Sequence, residues 1–359
     1  MNSKHIIHIA LVFLLISCAS NKYGETPINQ FQVIGSHNSY KQAIDKHLLD
    51  TLKVLYPWAN ELEYSHISLP DQLSLGLRNL EIDIYADTQG GRFAHPKGFS
   101  MIPGQSPYNA DGVMNRPGFK IFHVTEIDFR SSCPTLKICL QQLKKWSDRH
   151  PNHFPVFITL EAKENSQKEV EEGRSSPTEN FTPKLFAELD SIILAELGKE
   201  KVITPDFVRG NSETLNKAIT QQGWPKLNQV KGKFLFILDD NGSKCELYLK
   251  DHPSLKGRVL FVNAKPGDPA SATLILNNPK EDLSISDLAK HGYLIRTRSD
   301  ANTIQARNND YSQFDAACQS GAQIITTDYY KVSDFFKSSY RIAFKDNTYV
   351  RKNPLFEKK

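Results

Sequence analysis

Two imidazoles, one amide and three carboxylates recur at the ends of short apolar runs in this chain. His37 and Asn38 follow Val33-Ile-Gly-Ser36, and Glu81 and Asp83 lie within Leu80-Glu-Ile-Asp-Ile84. His123 stands in Ile121-Phe-His-Val-Thr125, and Glu161, with Lys163 two residues on, ends Val156-Phe-Ile-Thr-Leu-Glu161. Side chains at i and i+2 of a strand share a face, so Glu81 and Asp83 enter one interior together. Two carboxylates in an apolar strand are costly unless something cationic balances them. Calcium or magnesium would do so, since both prefer oxygen ligands; Lys163 or Arg296 would be the simpler counter-charge. Asn38 and Glu161 complete a hard, oxygen-only set that disfavours zinc. Paired imidazoles suit phosphodiester cleavage, one taking a proton from an attacking hydroxyl and the other giving one to the leaving oxygen. A divalent ion would acidify that hydroxyl and offset charge developing on phosphorus. Lys163 either faces the phosphate or simply pairs with Glu161 at the mouth of the site.

The elements that must position these groups alternate along the chain. Apolar runs at residues 31–37, 80–85, 120–125, 156–161, 233–238, 258–262, 293–296 and 323–328 read as eight strands. Helical or helix-length segments separate most of them, among them 45–60, 136–146, 183–197 and 283–290, with a helix end at 315–320 closed by Gly321. Ser68 and Pro70 read as the cap and first turn of another helix. That alternation predicts parallel βα units. Eight strands favour a TIM (β/α)8 barrel, in which chemistry sits at the C-terminal strand ends. An open doubly wound sheet lacks support, because no Gly-rich phosphate loop follows the first strand. Residues 87–120, rich in Gly and Pro, are too long for a plain connection and are expected to form a wall or lid over the active face. The polar stretch 164–180 is expected to be a mobile insertion.

The chain has 359 residues, 39% of them hydrophobic, and a formal charge of +4. This is ordinary globular composition, and without a long basic block it gives no sign of nucleic-acid binding. Lys4 precedes an apolar run over residues 6–16 that is too short to span a bilayer but fits an export signal. Leu15-Ile-Ser-Cys18 resembles the bacterial lipobox, whose Cys is acylated and becomes the first mature residue. The expected organisation is a lipoprotein signal at 1–17, a polar tether at 18–29 and one catalytic domain at 30–359. The expected location is a bacterial cell envelope, held to a membrane by lipid on Cys18, and the expected state is a monomer. An exported chain permits disulfides. Cys133 and Cys139, close together at a loop-to-helix junction, are the best pair; Cys245 with Cys318 follows only by elimination.

The ordered set Ser36-His37-Asn38-Ser39-Tyr40, Glu81-Ile-Asp83, His123 and Glu161 resembles the calcium-dependent phosphoinositide-specific phospholipase C family. Asp87-Thr-Gln-Gly-Gly91 is similar to its bacterial and fungal C1-like branch, and the resemblance spans nearly the whole mature chain. It implies one calcium ion held by Asn38, Glu81, Asp83 and Glu161. It also implies catalytic roles for His37 and His123, with His123 the acid toward the leaving group, and a phosphate contact for Lys163. A substrate-gripping arginine on the seventh strand would be Arg296 or Arg298. The implied reaction is attack of the inositol 2-hydroxyl on its own phosphate, giving diacylglycerol and a cyclic inositol phosphate. The extra membrane-binding and calcium-sensing domains of the eukaryotic enzymes are not visible. Two other readings compete. A glycerophosphodiester phosphodiesterase usually carries its second His on the loop soon after the second strand, where His95 stands. A non-catalytic lipoprotein binding inositol lipid or glycan would need no proton carriers.

Overall fold

A computed structural model describes residues 23–357. The expected signal and acylation site at Cys18 lie outside the described residues. Eight parallel strands form the frame: β1 (Phe31–Ser36), β2 (Asn79–Ile84), β3 (Val156–Ala162), β4 (Phe234–Leu238), β5 (Phe261–Val262), β6 (Thr273–Ile275), β7 (Leu294–Arg298) and β8 (Ile324–Thr327). They run in the order β5-β4-β3-β2-β1-β8-β7-β6, and a lone parallel bridge between Asn263 and Thr273 joins the two ends. The result is a nearly closed TIM barrel. Most strand residues are buried, because helices cover the outer face and side chains fill the interior. A short ninth strand, β9 (Val350–Lys352), pairs antiparallel with the first half of β1, ahead of the point where β2 takes over that edge.

The strand count is as expected, but one member is different. Residues 120–125 form no barrel strand. Lys120 instead pairs antiparallel with Tyr85 and with Thr135. The reason is that β3 already occupies the free edge of β2 along its whole length, from Asn79↔Phe157 to Ile84↔Ala162. The eighth place falls to β6, a run disguised in sequence by its shortness and by buried Ser271 and Thr273. Thr273 hides its hydroxyl by donating to the Val262 carbonyl at 3.0 Å. Gly35 lets β2 come close, since a Cβ there would lie 2.4 Å from Asn79 Cβ.

Local signals place the helices that carry the frame. Asp45 caps α1 (Lys46–Leu55), accepting from the amides of His47 and Leu48. Ser68 caps α2 (Leu69–Leu75), with Pro70 in the first turn. Thr135 and Thr182 cap α3 (Leu136–Arg149) and α4 (Pro183–Leu197), whose buried Leu, Ile, Phe and Trp faces pack on the barrel. Further on come α5 (Ser243–Leu249), α6 (Ile285–Lys290) and α7 (Ser312–Ser320), the last closed by Gly321 at φ 82°.

The two long connections at the catalytic end are both packed. Phe93, Ala94 and Met114 of the β2–α3 connection form a buried cluster with Tyr85 and Phe122, so this segment is a wall. In the 164–180 stretch, Ser166 and Glu169 form a capping box on a short helix, Gln167–Glu171. Ser176 N then donates to Thr125 Oγ1 at 2.7 Å, which ties the expected mobile insertion to the wall. Several of its polar groups find partners in one another and in the wall.

Cys133 and Cys139 form a disulfide, with Cα atoms 5.1 Å apart. The pairing of Cys245 with Cys318 does not occur: both are free. Cys245 sits in α5 between β4 and β5, and Cys318 in α7 ahead of β8, with several strands between them. Within the segment expected as a tether, Gly24, Thr26 and Ile28 are hydrogen-bonded to residues 225–228. Among the described residues, no helix is long and apolar enough to cross a membrane.

Candidate active site

Strand register sets the acidic half of the site. Asp83 on β2 is the direct neighbour of Glu161 on β3, so their side chains share a face. Glu81 lies one pleat below Asp83, and ligand atoms of Glu81, Asp83 and Glu161 all lie within 4.8 Å of one another. Asp239, immediately after β4, adds a fourth carboxylate; its amide donates to Leu160 O at 2.7 Å. Arg296 on β7 is buried, in contact with Glu81 Oε2 and 3.4 Å from Asp239 Oδ2. Its Nη1 also donates to Asn277 Oδ1 at 2.7 Å. Lys163 donates to Glu161 Oε1 at 3.0 Å and stands 3.6 Å from Asp83 Oδ2.

Both counter-charges foreseen for the carboxylates are therefore present, yet they do not suffice. Four carboxylates face one guanidinium and one ammonium, which leaves two formal negative charges in a largely buried space. Neither oxygen of Asp83 has a hydrogen-bond partner within ordinary distance. Burial pushes Asp83 well up, against the pull of Lys163, and pushes Glu81 up to about 8 against the pull of Arg296. Burial tends to lower Lys163, but Asp83 and Glu161 outweigh it and hold its ammonium well above the usual range. A divalent cation with oxygen ligands fits this surplus and these unpartnered atoms. Asn38 is linked to the cradle through Tyr40: it is buried in the left-handed region at φ 47°, and its Oδ1 accepts from Tyr40 at 3.2 Å. Tyr40's hydroxyl is in turn raised well above its usual range by burial and by Asp83.

His37 adjoins this cradle, His123 stands near His37, and each imidazole has a carboxylate behind it. His37 Nδ1 lies 2.8 Å from Asp328 Oδ1, just past β8, and its Nε2 lies 3.5 Å from Glu81 Oε1. Arg298 Nη1 is 3.3 Å from Nε2. Arg298 Nη2 lies equally close to Nδ1, so it is the acceptor-only Asp328 carboxylate, nearer at 2.8 Å, that draws the proton of a neutral ring to Nδ1 and leaves Nε2 its lone pair. Burial, Arg298 and Arg296 hold His37 well below the ordinary imidazole range, so the ring is neutral. His123 Nδ1 lies 2.8 Å from Asp128 Oδ2. Asp128 is fully buried and is met at 3.3 Å by Lys41, itself fully buried. Lys41 donates to the carbonyls of Leu62 and Tyr64 at 3.0 and 2.8 Å and lies 4.5 Å from the Tyr64 ring centroid.

Every foreseen site residue among those described gathers at this end of the barrel, with adjustments. His123 is on the β2–α3 connection, not on a strand. Of the two arginines, Arg296 is committed inside the barrel, whereas Arg298 lies beside His37 and reaches solvent. His66 is a supporting core residue, bonded to the His37 carbonyl at 2.8 Å and stacked on Tyr330. His95 is exposed on the wall. Sequence reading assigned no site role to Asp328, Asp128, Lys41 or Asp239. Asp239 was open to discovery by the same strand-end rule that found Glu161. Lys41 and Asp128 carried no local signal.

Fold and site together describe a parallel barrel that holds two carboxylate-backed imidazoles and an acidic cradle at the C-terminal ends of its strands. A family model, described as calcium-dependent phosphoinositide phospholipase C, matches residues 26–354. The chain belongs to that family and is an enzyme of the phospholipase C type. Similar solved structures include a calcium-dependent phosphoinositol-specific phospholipase C from Pseudomonas sp. In its apo form it has 18% identity and a TM-score of 0.54, covering 92% of this chain and 96% of that one. In a myo-inositol complex it has 19% identity and a TM-score of 0.54, covering 92% and 97%. The calcium-dependent phosphatidylinositol-specific phospholipase C of Streptomyces antibioticus has 19% identity and a TM-score of 0.54, covering 86% and 97%. These likenesses support the fold. A search of curated protein sequences finds no match.

Proposed function

We propose that this enzyme cleaves phosphatidylinositol, or a closely related inositol phosphodiester, to diacylglycerol and a cyclic inositol phosphate. The observation that carries the reading is the pair of imidazoles, each fixed at Nδ1 by a buried carboxylate, together with the acidic cradle that His37 adjoins. His37, neutral with an unprotonated Nε2, takes the proton of the inositol 2-hydroxyl as that oxygen bonds to phosphorus. His123 gives a proton to the glycerol oxygen as its bond to phosphorus breaks. Asp328 and Asp128 hold the two rings in orientation and offset the imidazolium charge. Asn38, Glu81, Asp83 and Glu161 would hold one calcium ion, with magnesium the poorer fit because it demands near-ideal octahedral geometry. Calcium bound there supplies charge neutralisation at phosphate and favours the alkoxide form of the hydroxyl. Lys163 contacts the phosphate, and Arg298, the more accessible arginine, contacts the inositol hydroxyls. Arg296 positions Glu81.

Family membership supports catalysis over mere binding. Glycerophosphodiester hydrolysis is the alternative chemistry. The position of His123 does not exclude it, since that residue lies on a loop after β2. We also propose that the chain is exported and held to the cell envelope by acyl chains on Cys18, two or more of which give stable anchoring. Residues from about 30 onward act as one catalytic domain.

The test is phosphorus NMR on the Cys18→Ser protein with phosphatidylinositol vesicles, with calcium or with chelator. A cyclic phosphate signal that requires calcium supports the reading. Cleavage of glycerophosphodiesters alone transfers the enzyme to the alternative, and silence on both refutes turnover as described.

A further inference from the structure

The N-terminal segment is fastened to the barrel end opposite the catalytic mouth. Ile28 N donates to Pro225 O at 3.1 Å, Leu227 N to Thr26 O at 3.0 Å and Asn228 N to Gly24 O at 2.9 Å. The Glu25 carboxylate meets Lys226 Nζ at 2.5 Å and Asn228 Nδ2 at 2.6 Å. Tyr23 lies edge-on to Phe31, with ring centroids 6.2 Å apart, and Lys352 Nζ is 5.0 Å from the Tyr23 ring centroid. Phe31 begins β1, Lys352 is its partner on β9, and residues 225–228 lie just ahead of β4. These all mark the N-terminal ends of the strands. His37, Asp83, Glu161, Asp239, Arg298 and Asp328 lie at or just beyond the C-terminal ends.

Only Ala19, Ser20, Asn21 and Lys22 separate Cys18 from the fastened Tyr23. Fully extended, that link reaches about 18 Å. A compact domain of this size is roughly 50 Å across. The link therefore cannot pass around the barrel to bring the mouth down onto the membrane that holds the acyl chains. Exposed apolar side chains are scattered over several elements, Leu75 and Phe207 among them, and four of them stand toward the far end. Met101, Ile304, Val332 and Phe335 stand on connections that leave the strands' C-terminal ends. Exposed apolar groups rimming a polar mouth suit contact with a lipid surface.

We infer that the anchored enzyme acts in trans, on an inositol phospholipid in a second, facing bilayer and not on lipid of the leaflet that carries its own anchor. This rests on the proposed acylation of Cys18 and the proposed substrate class. A tether too short to reach gives an effective concentration near zero for the cis reaction.

The test uses the full chain, produced with its acyl groups and reconstituted in vesicles. Phosphatidylinositol is placed either in the enzyme-bearing vesicles or only in acceptor vesicles, and a soluble glycerophosphoinositol is run beside them. A second variant carries a Gly/Ser insert of about 60 residues between Lys22 and Tyr23, with a root-mean-square span of roughly 45 Å. The expected result is cleavage in acceptor vesicles, and cis cleavage at least about tenfold slower than in the insert variant. Equal cis rates with and without the insert overturn the orientation argument while leaving the anchor in place. Absence of acyl mass on Cys18 overturns the anchor reading and this inference together. Turnover of the soluble diester with none in either vesicle arm overturns the bilayer as the source of substrate.

Discussion

Asp328 stands 2.8 Å from Nδ1 of His37, although the two residues are 291 positions apart in the chain. Asp328 is itself fixed: its amide donates to Asp300 Oδ1 at 2.8 Å, and Arg298 lies 3.4 Å from its Oδ2. The His37 ring is thus oriented by the last strand of the barrel acting on the first.

Asp328→Asn tests that relationship. An amide can offer its NH2 to Nδ1 and so favour the tautomer with the proton on Nε2, which removes the base. The expected loss in kcat is on the order of 10²–10⁴, with KM little changed. Nitrogen NMR of the His37 ring should show the tautomer change. Wild-type kcat in this variant would refute the assignment of His37 as base.

The second dyad makes a different prediction. If His123 protonates the leaving oxygen, Asp128→Asn should slow natural lipid about 100-fold but slow a sulfur-leaving-group analogue far less, since a thiolate departs without a proton. An equal loss on both substrates would place His123 elsewhere in the reaction. Lys41→Met strips the ammonium from buried Asp128, leaving His123 as its remaining side-chain partner, and should cost about 3–5 kcal/mol of stability in urea unfolding.

Calcium affinity should depend on Asp83. Asp83→Asn removes a charged ligand, and calorimetry should show weakening on the order of 100-fold. In chelator the same variant should melt higher than wild type, because the neutral amide relieves an unbalanced buried charge. Unchanged affinity, or a lower melting temperature in chelator, would argue that the cradle is satisfied by Lys163 and Arg296 alone.

His153 provides a pH prediction away from the site. It is buried against Ser147 Oγ at 3.0 Å, and burial lowers it from 6.5 to about 4. The unfolded chain therefore binds this proton more readily than the folded one. Its stabilising contribution is complete above pH 6.5 and is lost as pH falls toward 4. Absolute curves mix this with opposite slopes from Asp190 and Asp300, both pushed up to about 6 by burial. The difference between wild type and His153→Gln isolates the effect. The variant should gain roughly 2–3 kcal/mol relative to wild type between pH 7 and pH 4. A pH-independent difference would show that His153 is not held neutral.

Some of this protein could be read directly from the order of its residues. The spacing of Glu81 and Asp83, the strand ends at His37 and Glu161, and the caps at Ser68 and Gly321 are local features, governed by backbone geometry within a few residues. They sufficed for the parallel βα alternation and for most of the acidic cradle. They also misled where local pattern met global competition. Residues 120–125 have the composition of a strand, but β3 holds the edge that such a strand would need.

Tertiary structure decided the rest, because barrel closure and strand register act between residues that have no sequence relationship. Asp83 meets Glu161 through the β2–β3 register, and β6 becomes the eighth strand by meeting β5. The pairing of Asp328 with His37 exists only once β8 lies beside β1. Lys41, one lysine among many in sequence, becomes a buried charge because Asp128 and two carbonyls converge on it. The surplus of negative charge in the cradle is likewise a three-dimensional count, set by which cations the closed barrel brings within reach of its carboxylates.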